Sequence, residues 1–169
     1  ERTALQSFCR LLPNVNLLYP TNDRSDLADA GIREIDPQGN VVWFYRCRVD
    51  HDFQVLDNGN LLIHAITERV WPGLAPGMTR HPYMIETTRD GEVVWEWRGE
   101  EHLEELQRLL PASPWEHVME RAHGAFAFDW AHNNTLQVIP PNLADEQERA
   151  AGRYSRFRPG NIVFSYRSS

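Results

Sequence analysis

Three segments of the chain share one pattern of apolar residues around a turn that contains Asn or Gly. They read LLPNVNLLY at 11–19, VLDNGNLLI at 55–63 and PGNIVFSY at 159–166. Apolar runs on either side of such a turn are typical of β-hairpins, because Asn and Gly tolerate positive φ. Asn58-Gly59 gives the strongest of these turn signals. The pattern predicts short antiparallel strands along most of the chain.

A second pattern also recurs: a strand, a turn with Gly, then Val-Val-Trp followed by an aromatic residue and Arg. It occupies residues 35–46 and 87–98. Trp43 and Trp95 are 52 residues apart, and Asn16 and Asn60 are 44 apart. A unit of that length holds four short strands, the size of one β-propeller blade. Two unrelated hairpins with common turn residues are the alternative, but Trp and Arg recur in register, which favours a repeat.

We therefore predict an all-β fold, a partial β-propeller of about two and a half four-stranded blades with a helical insertion. Residues 1–169 form one domain in this interpretation. Blade one covers 5–47, blade two covers 50–98, and the start of blade three covers 126–169. The helical insert covers 100–122. Such an open array leaves blade faces uncovered, so we expect it to need further blades or a partner chain for stability.

The interruptions of the repeat have their own patterns. Thr67–Pro82 is rich in Pro and Gly and is predicted to be a long loop. Residues 100–110 place four Leu on one helical face, and 113–122 begin with the residues of a helix N-terminus. A third helical turn is predicted over Leu143–Ala151, between the first two strands of blade three.

Composition limits the classes of partner. Hydrophobic residues make up 41% of the 169, enough for a core, and the net charge of −7 argues against non-specific binding to nucleic acid or acidic membranes. No apolar run approaches the roughly 18 residues that span a bilayer. All 17 basic residues are Arg, which fits either compositional bias or recognition of anionic ligands by guanidinium groups.

Common cofactor and metal motifs are absent from the sequence. There is no GxSxG, Walker or GxGxxG motif, and the histidines and cysteines lack the spacing of zinc ligands. We therefore predict no cofactor and no metal. Cys9 and Cys47 are either two buried thiols or one disulfide, so they leave the redox compartment open.

Two histidines occupy matching positions of the repeat. His51 immediately precedes the first strand of blade two, and His132 stands at the corresponding start of blade three. Because the innermost strand of each blade lines the central channel, both imidazoles are expected near its axis, where they could serve nucleophilic or acid/base chemistry. Arg167 ends the second strand of blade three, where an Arg would neutralise an anionic substrate. The alternatives are strand-capping histidines and a surface Arg.

The five remaining histidines give weaker signals. His64 lies on a predicted strand, where alternation allows either face, and His81 lies in the predicted loop before Pro82. The others lie on predicted helices or in the approach to blade three: His102, His117 and His123. No function is predicted for any of them.

The motifs at 34–43, 51–62, 129–134 and 161–167 resemble the arylsulfotransferase family, whose catalytic domain is a six-bladed propeller. In that family, sulfate moves from an aryl sulfate ester to a phenol through a sulfated histidine. The resemblance implies that His51, His132 and Arg167 bind and polarise the sulfuryl group, with Asn134 hydrogen-bonding nearby. It also implies an aryl sulfate or other small anionic substrate and a periplasmic or secreted protein.

Two departures from the family pattern leave the activity open. The family's nucleophilic histidine belongs to a later blade, beyond Ser169, and the segment 143–157 is a long insertion, which we expect to shield or fill the channel mouth. We expect a segment of a sulfotransferase-like enzyme that acts with the remaining propeller blades or a partner chain. The alternative is a non-catalytic propeller module for binding or assembly within a larger complex.

Overall fold

The computed structural model of the protein describes residues 8–21, 27–71, 77–109, 128–130 and 133–166. Within these ranges the chain is mostly β, and its strands form three sheets, none of which closes on itself. Successive strands pair antiparallel in all three sheets. The prediction of an antiparallel β-protein is therefore confirmed.

Sheets one and two are four-stranded meanders in chain order. Sheet one consists of β1 (Arg10–Leu11), β2 (Leu17–Thr21), β3 (Gly31–Ile35) and β4 (Val41–Arg46). Sheet two consists of β5 (Val49–Val55), β6 (Leu61–Val70), β7 (Met78–Thr87) and β8 (Val93–Arg98), with β9 (Phe128–Asp129) parallel to β7. Sheet three pairs β10 (Asn133–Val138) with β11 (Ile162–Tyr166).

The turn between the first two strands is built in the same way in all three sheets. In each, a residue at the end of the first strand donates its N–H to the carbonyl of the Asn that opens the second strand. The pairs are Leu12 with Asn16 at 2.8 Å, Leu56 with Asn60 at 2.9 Å, and Ile139 with Asn161 at 2.8 Å. The three Asn of the sequence pattern thus occupy equivalent backbone positions.

Sheets one and two also repeat their side-chain contacts. Asn16 Nδ2 donates to Glu34 Oε1 at 2.6 Å, and Asn60 Nδ2 donates to Glu86 Oε1 at 2.6 Å. Burial opposes ionisation of Glu34, but the Asn16 amide and the guanidinium of Arg89 hold its pKa below the ordinary value. The second Asn of each turn and the third strand are therefore tied together in both sheets.

The inner strands of sheet two, β6 and β7, are buried on both faces. Leu61, Ile63 and Ala65 of β6 pack in one cluster with Leu18 and Ile32 of sheet one. The opposite face of β6 and β7 packs against sheet three, through Leu62, Met84 and Leu136. Because both faces are covered, β6 reads as a nearly continuous apolar run rather than an alternating one.

The predicted loop over Thr67–Pro82 is wrong for most of its length. β6 continues to Val70, β7 begins at Met78, and these two residues are register partners. Thr79 and His81 are fully buried on β7, and the polar residues beside them form ion pairs across the strands. Burial and pairing therefore extend the hairpin into a segment that its Pro and Gly content marks as irregular.

Two of the three predicted helical segments lie within the described residues. A 3-10 turn over Gly99–His102 leads into α1 (Leu103–Leu109). The helix predicted at Leu143–Ala151 is confirmed as α2 (Leu143–Ala150), and its N-cap Asn142 accepts the Asp145 N–H at 2.9 Å. The segment 113–122 lies outside the described residues. Both alternatives predicted for the cysteines are wrong, since Cys9 and Cys47 are free thiols and Cys9 is exposed. Burial raises the pKa of Cys47 to about 12.

Val15 occupies the turn position that the other two sheets give to glycine. Its φ is 62°, whereas Gly59 has φ 84° and Gly160 has φ 90°. The left-handed conformation costs an L-residue about 1–2 kcal/mol, and it is most unusual for a β-branched side chain. The turn of sheet one therefore carries a local strain that the other two avoid.

Val15→Gly is expected to raise the free energy of unfolding by about 0.5–1 kcal/mol, because relief of strain exceeds the extra entropy of glycine in the unfolded chain. Gly59→Val is the matched control and should lower it by about 1–2 kcal/mol. A Cβ at Gly59 meets nothing within 4 Å, so only backbone strain is tested. Urea denaturation measures both. A destabilised Val15→Gly variant would contradict the assignment.

Candidate functional site

The first strands of the three sheets lie side by side. Arg10 of β1 donates to the Asp52 carboxylate of β5 at 3.4 Å. On the other side of β5, the Leu136 N–H donates to Asp52 Oδ2 at 3.3 Å, and the Val138 N–H donates to Gln54 Oε1 at 2.9 Å. Side chains of β5 therefore accept hydrogen bonds from backbone N–H groups of β10.

These contacts fix the relative direction of β5 and β10. Asp52 meets Leu136, and two residues further along both strands Gln54 meets Val138. The residue numbers increase together along the two strands, so β5 and β10 run in the same direction. The beginning of β5 and the beginning of β10 therefore lie at the same end of the packed sheets.

Asp52 is the central group of this contact. The residue is 8% exposed, and its carboxylate accepts three hydrogen bonds, from Arg10, from its own neighbour Phe53 N at 2.9 Å, and from Leu136. A carboxylate is the acceptor best suited to several converging donors. One side chain thus joins the first strands of all three sheets.

His51 lies inside β5, two residues after its first residue Val49, so the prediction that it immediately precedes the strand is wrong. It stands at an irregularity of the strand. Val49 pairs with Ala65 and Phe53 with Ile63, so the segment 50–52 has more residues than the strand opposite. Such bulges redirect side chains and are frequent beside active sites. The His51 side chain is 31% exposed, with Nε2 at 3.8 Å from Asp50 Oδ1.

Asn134 lies at a second irregularity, at the same end of β10. Asn133 pairs with Tyr166 and Thr135 with Ser165, which leaves Asn134 as the extra residue. It is half-buried. Of the predicted site residues, the structure therefore brings His51 and Asn134 to the same end of neighbouring first strands, each at a bulge.

His132 and Arg167 lie outside the described residues. Their chain neighbours Asn133 and Tyr166 are described, and they are register partners at the same end of sheet three as Asn134. The roles predicted for His132 and Arg167 therefore stay predictions.

A cavity of about 420 Å³ lies along the first strands. Apolar residues line part of it, and charged, amide and hydroxyl side chains line the rest: Arg10, Asp52, Gln54, Thr135 and Gln137. A larger groove of about 790 Å³ opens between sheets two and three, where Glu86 and Trp95 face the base of the α2 insertion at Pro140 and Pro159. The insertion follows the last residue of β10, so it leaves the strand at the end opposite Asn134.

The described residues contain no group of three or more His, Cys, Asp or Glu side chains that could hold a metal ion. None of their helices has the length and apolarity needed to cross a bilayer.

The family model described as Arylsulfotransferase (ASST) matches residues 12–143. The chain belongs to the arylsulfotransferase family. The matched span includes His51, His132 and Asn134, and it ends at the first residue of α2. No curated protein and no solved structure matches the chain.

Sequence reasoning missed a buried polar cluster in this arylsulfotransferase-family chain. His81 is fully buried, with Nε2 at 2.5 Å from Thr79 Oγ1, and the Trp130 indole donates to its Nδ1 at 3.3 Å. Burial lowers the pKa of His81, although the nearby Glu100 carboxylate opposes that shift. Alternation of Thr79 and His81 was the available signal, but the surrounding Pro and Gly masked it.

Asp52→Ala is expected to lower the free energy of unfolding by about 2–3 kcal/mol, because it leaves the buried Leu136 N–H and the Phe53 N–H without their acceptor. Asp57→Ala is the matched control. It removes an exposed carboxylate in the hairpin turn that follows β5, and it should change the free energy of unfolding by less than about 0.5 kcal/mol. Urea denaturation of both variants measures this. Equal stabilities would contradict the central role of Asp52.

Proposed function

We propose that this chain serves sulfuryl transfer from an aryl sulfate to a phenol, with His51, His132 and Arg167 binding and polarising the sulfuryl group. Asn134 hydrogen-bonds nearby in this proposal. The observation that carries it is the arrangement of β5 and β10. They run side by side in one direction, and each is irregular at the end where His51 or Asn134 lies.

The proposal includes a propeller arrangement, in which the three sheets are successive blades of a six-bladed ring. Three observations support it. Sheet two packs on both neighbours, the first strands face one another, and the turns repeat with equivalent hydrogen bonds. In a propeller the first strands surround the axis, so side chains at their starts converge on one mouth of the channel.

The chemistry requires stabilisation of negative charge. An S–O bond to the donor phenol breaks, an S–O bond to the acceptor phenol forms, and the proton of the acceptor passes to the released phenolate. Charge grows on the sulfuryl oxygens and on the leaving oxygen. Imidazolium and guanidinium donors that are fixed around these oxygens lower the barrier.

We also propose that further blades or a partner chain pack on this chain. The contact between sheets one and two gives the pattern for that docking. Arg89 of sheet two pairs with Glu34, and its guanidinium carbon lies 3.9 Å from the centroid of the Trp43 ring. The Trp43 indole donates to the Arg89 carbonyl at 2.7 Å. A turn of one sheet thus fills a socket of Trp and Glu in its neighbour.

Sheet two has the same socket on its other side. Glu86 pairs with Trp95 in register, as Glu34 pairs with Trp43. Glu86 and Trp95 line the 790 Å³ groove, and Trp95 is 39% exposed. We expect the turn of a further strand pair to dock there. This groove also favours the second candidate function, a binding or assembly module, because a partner protein could fill it.

His132→Ala, His51→Ala and Arg167→Ala are each expected to reduce sulfuryl transfer on the order of 100-fold, because each removes a donor to the developing charge. The assay follows release of para-nitrophenol from para-nitrophenyl sulfate in the presence of phenol. His102→Ala is the control, since the His102 ring stacks on Trp97 and has no role in the proposed site. Full activity in all three variants would contradict the assignment. A wild-type protein without transfer but with a stable partner would favour the module.

Arg89→Ala is expected to lower the free energy of unfolding by about 2 kcal/mol, because it leaves the buried Glu34 carboxylate without its cation and uncovers Trp43. Arg108→Ala, which removes an exposed helical pair with Glu104, should cost less than about 0.5 kcal/mol. Thermal and urea unfolding distinguish the two variants. Equal effects would argue against the socket as a contact between blades.

A further inference from the structure

A chain of three hydrogen bonds crosses the buried cluster around His81. The Thr79 hydroxyl donates to the Arg69 carbonyl at 2.6 Å, so its oxygen must accept from His81 Nε2 at 2.5 Å. That leaves His81 Nδ1 as the acceptor for the Trp130 indole N–H at 3.3 Å. His81 and Trp130 are both at most 1% exposed.

Only one form of the imidazole satisfies all three bonds. It is the neutral tautomer with its proton on Nε2. The other tautomer presents no donor to Thr79 and turns an N–H toward the indole N–H. The doubly protonated ring likewise opposes the Trp130 donor. The geometry therefore selects a neutral His81 with a specified proton position.

Trp130 stands directly before the candidate site in the chain. β9 pairs with β7 through Thr79 with Phe128 and Arg80 with Asp129, and Trp130 follows. His132 is two residues beyond Trp130, a reach of at most about 7 Å of extended chain. A contact that fixes Trp130 therefore acts within two residues of His132 in the chain.

We propose that His81 is a positioning residue whose neutral imidazole holds Trp130, and through it the segment that carries His132, in the geometry required for sulfuryl transfer. The inference rests on the proposed function of His132. His81 touches neither substrate nor sulfuryl group in this scheme. It acts through the Trp130 hydrogen bond alone.

The charged groups that face His81 among the described residues are Glu100 and Arg69. Glu100 Oε2 lies 3.9 Å from His81 Nδ1, and Glu100 is paired with Arg69 through its other oxygen. Burial lowers the pKa of His81; Glu100 raises it and Arg69 lowers it. The neutral ring is therefore fully present above its ordinary pKa of 6.5. As pH falls through the lowered pKa, a proton on Nδ1 replaces the Trp130 bond with an interaction toward Glu100.

Two amide substitutions separate the two ends of the imidazole. His81→Asn retains an acceptor near the position of Nδ1, toward Trp130, and loses the donor toward Thr79. His81→Gln retains a donor near the position of Nε2, toward Thr79, and loses the acceptor toward Trp130. Neither amide titrates. A purely structural role of the cluster predicts similar His132 signals and similar transfer rates for both variants. Positioning through Trp130 predicts that His81→Gln changes both and that His81→Asn changes neither.

The test follows the His132 ring signals by NMR in the full chain, assigned with His132→Asn, beside the para-nitrophenyl sulfate assay. His81→Gln is expected to shift the His132 signals and to reduce transfer about tenfold or more. His81→Asn should retain both and should remove the acid limb that His81 contributes to the pH profile. If His81→Gln fails to fold, Trp130→Phe tests the same bond, and it should shift the His132 signals in the same way.

The outcomes distinguish the two claims. His132 signals that are unchanged in His81→Gln and in Trp130→Phe would overturn the positioning role. Equal shifts in His81→Asn and His81→Gln would overturn it as well. If the His132 signals respond as expected but the wild-type chain transfers no sulfuryl group, the positioning contact stands and the proposed function fails.

Discussion

The burial of both faces of β6 and β7, the inner strands of sheet two, is the constraint from which the rest of the structure follows. Odd-numbered residues of β6 such as Leu61 and Ile63 pack on sheet one, and Leu62 packs with Met84 and Leu136 toward sheet three. A sheet covered on both sides must have neighbours that stack rather than join its edges. Stacked meanders then bring their first strands together, and Asp52 fastens them.

The repeated features of this chain build its frame, and the departures from the repeat lie at the candidate site. The turns at Asn16, Asn60 and Asn161 repeat one backbone geometry, even though α2 is inserted within the third turn. Glu34 and Glu86 repeat one set of side-chain contacts. The departures are local bulges at His51 and Asn134, at one end of the first strands. A frame that repeats within the chain, with strand starts that differ between the repeats, is a suitable basis for a site of the arylsulfotransferase family.

Much of the frame could be predicted from the sequence, because hairpin turns at Asn58-Gly59 and the recurrence around Trp43 and Trp95 are local signals. The family was predicted as well. The extension of β6 and β7 was not, since pairing and burial override the preferences of Pro and Gly. The bulge at His51 depends on the exact register of β5 with β6, which no local pattern specifies. The burial of His81 was missed, because the surrounding Pro and Gly obscured its alternation with Thr79 and because its partner Trp130 is distant in sequence. His132 and Arg167 remain predictions.

The most direct test of the central claim is to measure which residues of β5 contact which residues of β10 in solution. Nuclear Overhauser contacts between the Leu136 amide proton and the Asp52 side chain, and between the Val138 amide proton and the Gln54 side chain, are the expected result. They would establish that the first strands lie side by side in one direction. Their absence, or the reverse pairing of Leu136 with Gln54 and Val138 with Asp52, would contradict the convergence of the candidate site residues.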